Sequence, residues 1–320
     1  MCTALKYGHV MGRNFDYEVS YGEELVKIPR HEYGNDYSII GICTMYRDAN
    51  GVFPLLYDGM NEYGLCMAGL AFEGNADYMS VDRWQQQTMK TDLGIGAERA
   101  IPVYRFIFDV LRQCKSVKQA LRYIDKSVLI DKQISSKYPN SDMHWFICDK
   151  DESYVIEQTK DGLKWYRAET DVLTNNPPYP QQIAKYTANK GLVGKFTPDY
   201  HTRGVETEGL NGSYTSAGRF QRVSYLKEKL EQSNYSTNDV FDINNVSQGF
   251  HLLGSVEQLY GATPVNDKFE YTIYSVVYDM SSLIVYIRLY EDFSEQVHFL
   301  PVDFENEPMW HQSIRRWNNE

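Results

Sequence analysis

Residues 1–18 read MCTALKYGHVMGRNFDYE, and this stretch places a cysteine directly behind the initiator methionine. Its segments ALKYGHV and GRNFDYE have the apolar and aromatic content that is typical of strands. Met1 is usually removable when the next residue is small, and Cys2 then carries a free α-amine. A cysteine in that position can act as a nucleophile without a histidine, because an α-amine, which titrates near pH ~8, can take the thiol proton.

Arg13 and Asp16 give this cysteine two candidate partners. A nearby guanidinium stabilises a thiolate, and a carboxylate can hold an α-ammonium group. Residues three apart in a regular strand face opposite sides, so both can serve one site only if the strand ends, bends or bulges at Asn14–Phe15. A chance Met–Cys start and an exposed ion pair of little consequence explain the same residues. The residues alone therefore favour this plainer interpretation.

The composition excludes several classes of partner. The 320 residues are 42% apolar, enough for a large core, and we see no linker that would divide residues 1–320 into more than a single domain. A net charge of −11 with scattered Lys and Arg fits neither a nucleic-acid backbone nor an anionic membrane surface. With no membrane-spanning stretch and no signal peptide, we expect a cytoplasmic protein.

The cysteines and histidines give no sign of a metal site or another cofactor. There is no CxxC pair, and the seven histidines lack metal-ligand spacing. Four cysteines lie in apolar runs and are expected to be reduced and buried: Cys43, Cys66, Cys114 and Cys148.

The pattern along the chain predicts strands at both ends and helices between them. Predicted strands include ELVKIP, YSIIGICTMY, LCMAGLAF, the hairpins of 143–168, FEYTIYSVVYDM, LIVYIRLYED and EQVHFLPV. Predicted helices lie within 94–125 and near SAGRFQRVSYLKEKLEQ and QGFHLLGSVEQ, and residues 176–212 are predicted to be rich in loops. This arrangement indicates one α+β domain of stacked sheets flanked by helices.

Eight ordered blocks resemble the choloylglycine hydrolase family, which contains the bile salt hydrolases and the penicillin V acylases. The blocks are MCTAL, GRNFDYE, DGMNEYGLCMAGLAF, MHWFICD, VLTNNP, SAGRFQRV, FHLLGSVEQ and FEYTIYS, and the likeness runs from residue 1 to about 295. The resemblance implies the N-terminal-nucleophile hydrolase fold, a four-layer αββα sandwich of two mainly antiparallel sheets flanked by helices.

The resemblance also assigns roles to individual residues. It implies that Cys2 is the nucleophile after removal of Met1, with Arg13 and Asp16 beside it. Asn175 of LTNNP matches the residue whose side-chain amide donates to the oxyanion, although a turn-forming Asn before a proline explains it equally. Arg219 of SAGRF matches an arginine near the nucleophile, where the alternative is a cation on a helix surface.

One position departs from the family pattern. After AGL, bile salt hydrolases usually carry Asn and penicillin V acylases usually carry Tyr, whereas this chain has Ala71. In the family, the backbone N–H of that residue helps to form the oxyanion hole, and alanine keeps its N–H. A second departure is NGSYTSAGRF, where relatives often have a PGD-type turn. These departures bear on which substrate is bound more than on which reaction is catalysed.

The resemblance thus implies hydrolysis of an amide through a thioester on Cys2. Three functions stay open: hydrolysis of glycine- or taurine-conjugated bile salts, hydrolysis of penicillin V or another N-acyl amide, and non-catalytic binding of steroids or acyl chains. The partner is a small-molecule substrate, and relatives are commonly homotetramers. MYRDANGVFPLLY and AFEGNADYM are predicted to be aromatic-rich loops, which can line its pocket or belong to the core. Arg203 can meet an anionic group or stay solvated.

Overall fold

A computed structural model describes most of the chain. The described residues are 1–49, 51–90, 99–136, 138–195, 203–233, 245–291, 298–301, 303–304 and 308–315.

Residues 1–18 form an antiparallel hairpin of two strands, β1 (Cys2–Tyr7) and β2 (Val10–Tyr17). The prediction of one strand through ALKYGHV is therefore wrong, since the chain turns at Gly8–His9. Gly8 has a φ of 54° there, a backbone conformation that glycine adopts without steric cost.

Fifteen further strands follow along the described chain. They are β3 (Glu24–Ile28), β4 (Ile39–Asp48), β5 (Gly51–Asn61), β6 (Cys66–Ala71), β7 (Arg99–Pro102), β8 (Ser127–Ile130), β9 (Met143–Cys148), β10 (Ser153–Thr159), β11 (Gly162–Arg167), β12 (Val172–Leu173), β13 (Thr263–Val265), β14 (Lys268–Asp279), β15 (Ile284–Leu289), β16 (His298–Pro301) and β17 (Trp310–Ser313).

These strands build two large antiparallel sheets and a short parallel pair. The seven-stranded sheet has the order β12-β1-β2-β14-β15-β16, with β13 paired to β14. The eight-stranded sheet has the order β11-β10-β9-β6-β5-β4-β3-β17, and β7 pairs with β8 in parallel. Both ends of the chain thus contribute to each large sheet.

The described residues include six α-helices. They are α1 (Val81–Lys90), α2 (Phe106–Leu111), α3 (Val117–Ile124), α4 (Tyr179–Lys190), α5 (Ser216–Gln232) and α6 (Asn245–Gly254). Among the described helices, none is long and apolar enough to cross a membrane.

Two clusters of buried side chains fill the spaces between the layers. One cluster joins the facing sides of the two large sheets and the helices α4, α5 and α6, and includes Leu70, Phe146 and Val276. The other lies between the eight-stranded sheet and the helices α2 and α3, and includes Met67 and Phe106. Met67 and Leu70 belong to different clusters because side chains alternate across a strand. The order helices, sheet, sheet, helices confirms the predicted four-layer αββα sandwich.

Three other predictions need correction. Residues 99–102, predicted as helical, form β7, and the helical prediction for 94–98 lies outside the described residues. The loop-rich stretch 176–212 contains the twelve-residue helix α4, which starts immediately after two prolines whose fixed φ suits the entry to a helix. The segment MYRDANGVFPLLY is the paired end of β4 and β5 rather than a loop.

Candidate active site

The site is centred on Cys2, the first residue of β1. Cys2 pairs with Phe15 of β2, and its side chain, 5% exposed, points into the space between the two sheets. Arg13, two residues before Phe15 and therefore on the same face, places Nη2 3.6 Å from the Cys2 Sγ. The guanidinium is therefore in direct contact with the sulfur of Cys2.

Arg13 is held by both sheets. Its Nη1 donates to the Asp58 carboxylate of β5 and to the Tyr274 hydroxyl of β14, the latter at 3.0 Å, while Nη2 donates to the Gly69 carbonyl oxygen at 2.8 Å. Asp58 also accepts hydrogen bonds from the hydroxyls of Tyr274, at 2.7 Å, and Tyr278. Three buried polar groups, from Asp58, Tyr274 and Gly69, therefore fix the arginine that contacts Cys2.

The charge on Arg13 is secured by the same neighbours. Burial acts to lower its pKa, but Tyr274, Asp58 and Cys2 outweigh burial and raise the pKa well above its usual value. The guanidinium carbon also lies 4.8 Å from the centre of the Phe15 ring, a favourable cation–π distance. Arg13 is therefore a permanent cation beside the thiol.

Asp16 lies on the opposite face of β2, toward the helices. Its carboxylate accepts hydrogen bonds from Thr272 Oγ1 at 2.6 Å and Gln258 Nε2 at 3.0 Å, and lies 3.7 Å from Arg219 Nη1. The end, bend or bulge that the sequence analysis required at Asn14–Phe15 is absent, because β2 runs through these residues without a break. The irregularity lies in the neighbouring strand β14, between Thr272 and Tyr274.

Arg13 and Asp16 instead approach the start of β1 from its two sides. Arg13 contacts the side chain of Cys2, whereas Asp16 acts on the other face through Arg219. Arg13 and Asp16 therefore do not need to share one face of β2. The site includes the backbone of Cys2, which side chains on both faces can reach.

Arg219, in the first turn of α5, is fully buried rather than a surface cation. It donates to the Cys2 carbonyl oxygen at 2.6 Å, to Thr3 Oγ1 at 2.7 Å and to Asn175 Oδ1 at 2.9 Å. Burial lowers the pKa of Arg219, although Asp16 and Cys2 act in the opposite direction. This arginine thus connects the nucleophile's backbone to the side chain of Asn175.

Asn175 and Ala71 lie together beside Cys2. Asn175 Oδ1 accepts the backbone N–H of Cys2 at 2.6 Å, and its Nδ2 donates to the Ala71 carbonyl oxygen at 2.9 Å. In a strand, the N–H and C=O of one residue point to the same edge. The Ala71 N–H therefore points to the same edge of β6 as the carbonyl oxygen that accepts the Asn175 amide.

Met1 lies over the start of β1. Its ammonium group donates to the Asp16 carbonyl oxygen at 2.8 Å and to the carboxylate of Glu270. With Met1 attached, the nitrogen of Cys2 is an amide, which cannot accept a proton from the thiol. The six residues predicted from the sequence are brought together, but the nitrogen becomes a base only when Met1 is removed.

A family model of linear amide C–N hydrolases, the choloylglycine hydrolase family, matches residues 2–306. The chain belongs to this family.

Relatives and solved structures agree with this membership. The chain is 36% identical to the bile salt hydrolase/transferase of Lactiplantibacillus plantarum, over 96% of this chain and 94% of that protein, and 30% identical to that of Clostridium perfringens, over 96% and 94%. It is similar to the crystal structure of a mutant conjugated bile acid hydrolase from Clostridium perfringens, with a TM-score of 0.82, 27% identity and coverage of 98% and 96%. The penicillin V acylase of Agrobacterium tumefaciens shares the fold, with a TM-score of 0.69, 16% identity and coverage of 96% and 88%.

The site of this choloylglycine hydrolase family member also contains several buried polar residues that the sequence did not single out. They are Asp58, Gln258, Glu270, Tyr274 and Tyr278. Asp58 opens the block DGMNEYG, and Glu270 and Tyr274 lie in FEYTIYS, so the blocks carried a signal. The sequence could not show that these residues meet Arg13 or Met1, because they belong to other strands.

A row of aromatic rings leads from the nucleophile to the surface. The ring centre of Phe15 lies 4.9 Å from that of Tyr57 and 6.4 Å from that of Tyr17, which in turn lies 5.4 Å from the ring of Tyr21. Tyr21 is 52% exposed. Tyr57, from MYRDANGVFPLLY, thus packs on Phe15, the residue that pairs with Cys2.

The other predicted pocket segments contribute differently. Phe72 of AFEGNADYM is fully buried and stacks on His144, so here the core alternative holds. Arg203 is exposed on a loop that packs against α5, where the Tyr225 hydroxyl donates to the Glu206 carbonyl oxygen at 2.7 Å.

Within the described ranges, no group of three or more His, Cys, Asp or Glu side chains is arranged to hold a metal ion.

Proposed function

We propose that this hydrolase cleaves the amide bond of glycine- or taurine-conjugated bile salts through a thioester on Cys2. The observation that carries the proposal is the contact of Arg13 Nη2 with Cys2 Sγ at 3.6 Å, beside the two donors of Ala71 and Asn175. The names of the two relatives that are at least 30% identical support bile salts as the substrate class.

The proposed reaction begins after removal of Met1. The Cys2 thiolate attacks the amide carbonyl carbon, the α-amine of Cys2 takes the thiol proton, and the oxyanion accepts the N–H of Ala71 and the second hydrogen of Asn175 Nδ2. The carbonyl re-forms as the C–N bond breaks, and the amine leaves with the proton. Water then attacks the thioester, which releases the bile acid and restores the thiol.

The aromatic row supports an apolar acyl group. Phe15, Tyr57, Tyr17 and Tyr21 form a wall that suits the broad, weakly polar face of a steroid. Ala71 keeps penicillin V as the alternative substrate, because alanine lacks the side chain that differs between the two branches of the family.

We further propose that residues 1–320 act as a single domain in the cytoplasm, with no cofactor, and that the chain forms a homotetramer. The family resemblance supports the tetramer.

The test is amine release from glycocholate, taurocholate and penicillin V, assayed side by side on protein whose intact mass shows that Met1 is absent. We expect release of glycine or taurine, and we expect Cys2→Ala to abolish it because the nucleophile is lost.

Each other outcome contradicts part of the proposal. Turnover of penicillin V alone assigns the acylase function. No turnover of any of the three substrates by Met1-free protein rejects their hydrolysis and favours non-catalytic binding or a redirected pocket. Full activity of protein that retains Met1 would exclude the α-amine as the base.

A further inference from the structure

A buried histidine and glutamate lie close to the oxyanion donors without contacting the thiol in any interaction described above. His144 of β9 and Glu157 of β10 are 0% and 1% exposed, and His144 Nδ1 lies 3.2 Å from Glu157 Oε1. Among the described residues, His144 Nε2 has no hydrogen-bond partner. Burying two such polar groups has a cost in free energy, so the pair calls for an explanation beyond filling the core.

His144 supports the segment that carries Ala71. The imidazole stacks face to face on the ring of Phe72, with centres 4.3 Å apart and planes 9° from parallel. Phe72 directly follows Ala71 in the sequence. His144 pairs with Leu70, the residue directly before Ala71. The histidine therefore contacts β6 on both sides of the residue that supplies the first oxyanion donor.

Glu157 supports the segment that carries Asn175. Its Oε1 accepts the backbone N–H of Tyr179, the first residue of α4, at 2.8 Å. Because Pro177 and Pro178 have no N–H, Tyr179 offers the first backbone donor after Asn176. A carboxylate at the N-terminus of a helix is also favoured by the helix dipole. Glu157 thus fixes the end of the turn that carries the second donor.

The two supported segments are also joined directly to each other. Asn175 Nδ2 donates to the Ala71 carbonyl oxygen and Asn75 Nδ2 to Asn176 Oδ1, both at 2.9 Å, while Asn176 Nδ2 donates to the Glu73 carbonyl oxygen at 2.8 Å. A shift of one segment therefore changes the position of the other, and a support that holds both sets the spacing of the two donors.

We propose that His144 and Glu157 form a positioning pair that sets the geometry of the oxyanion site. The pair takes no part in the chemistry: it acts through Phe72 on Ala71 and through Tyr179 on Asn175. This inference rests on the proposed function, since it assumes that the two donors serve an acyl-transfer reaction.

The test compares two reactions of Cys2 on Met1-free protein. Amide hydrolysis of glycocholate and taurocholate requires the oxyanion donors, whereas alkylation of the thiol by iodoacetamide forms no oxyanion and depends only on the nucleophile. The principal variant is Glu157→Met, which has similar volume but no acceptor for Tyr179 or His144. Glu157→Gln keeps an acceptor oxygen, and His144→Phe keeps the ring stack on Phe72 but loses Nδ1.

A matched control comes from a carboxylate elsewhere in the core. Asp109 of α2, 6% exposed, accepts hydrogen bonds from Arg105 and Arg112 and belongs to the helix layer on the outer side of the eight-stranded sheet. Asp109→Leu removes a nearly buried carboxylate without touching the oxyanion segments.

We expect Glu157→Met to lower kcat by about tenfold to a hundredfold, with KM changed less than threefold, because misplaced catalytic groups slow the chemical step. The alkylation rate of Cys2 should stay within about twofold of that of the unmodified enzyme. Glu157→Gln should recover most of the lost kcat, His144→Phe should show a smaller loss than Glu157→Met, and Asp109→Leu should keep kcat.

Two results would overturn the inference. Unchanged kcat in both Glu157→Met and His144→Phe would show that the pair sets nothing in the site. An equal fall in hydrolysis and alkylation would indicate a general structural role. If the unmodified enzyme hydrolyses none of the conjugates, the proposed function fails instead, and the two failures are thus distinguishable.

Discussion

The five cysteines show how the environment of a residue separates a nucleophile from inert thiols. Burial raises the pKa of Cys43 and Cys66 well above the usual value, and raises that of Cys114 to about 12. Cys2 is also buried, but it contacts the guanidinium of Arg13. The same side chain is therefore a structural residue in the core and a candidate nucleophile at the start of β1.

We expect iodoacetamide at pH 8 to give one adduct on native Met1-free protein, at Cys2. With a pKa of about 12, Cys114 is roughly one part in 10⁴ thiolate at that pH, and its reaction should begin only as the pH rises toward 12. Peptide mapping by mass spectrometry locates the adduct, and Cys2→Ala should remain unmodified. Modification of Cys114 as fast as Cys2 would contradict this assignment.

The sequence indicated the site residues but not what holds them. Cys2, Arg13 and Asp16 follow from one short stretch read beside the family pattern. The hydrogen bonds of Asp58 with Arg13 and Tyr278 could not be predicted, because they form only where strands of two different sheets meet at Arg13.

The start of α5 illustrates how an element delivers a side chain to the site. Thr215 caps the helix by accepting the Gly218 N–H at 3.2 Å, and Arg219 Nε donates to the Tyr214 carbonyl oxygen at 3.0 Å. A Cβ on Gly218 would lie 2.7 Å from the Ser213 carbonyl oxygen. The turn before the helix is therefore packed too closely for any residue larger than glycine.

We expect Gly218→Ala to lower the free energy of unfolding by about 1–3 kcal/mol, because the new methyl group collides with backbone. It should also lower kcat, since the turn that orients Arg219 must move. The control is Gly254→Ala at the end of α6, where a Cβ has open space and the change should be neutral or stabilise by up to about 1 kcal/mol. Denaturant unfolding measures both, and equal stability of the two variants would refute the packing argument.

Element predictions succeeded where periodicity was strong and failed where glycine and proline changed the chain's course. The helix predicted from SAGRFQRVSYLKEKLEQ coincides with α5, residue for residue. The turn at Gly8 was missed because apolar and aromatic residues continue on both sides of it, and α4 was missed because its entry is marked by prolines that also suit loops.

At the scale of the whole molecule, the site is a product of the stacking of the two sheets. Arg13 and Tyr274 belong to one sheet, and Asp58 and Gly69 belong to the other. Layers of strands and helices could be predicted from the order of patterns along the chain, and the sandwich is confirmed. The strand order could not, because pairing between distant segments has no local signal.

We expect a homotetramer in solution, with a native mass four times that of the chain. Large apolar side chains that subunit contacts could bury are exposed on the described surface: Leu192 at 68%, Leu259 at 55% and Tyr260 at 61%. Native mass spectrometry at low protein concentration measures the assembly directly. A single species with the mass of one chain would show that these side chains remain in solvent.

The position of Met1 limits the time at which this residue can be removed. In the folded chain, its ammonium is held by Glu270 and the Asp16 carbonyl oxygen, and Cys2 is already paired with Phe15. A processing enzyme must break these contacts to reach the Met1–Cys2 bond, so on the proposed mechanism we expect excision on the nascent chain, before the first hairpin closes. Synthesis that outruns excision would yield folded, pure and inactive protein, recognisable by an intact mass one methionine too large.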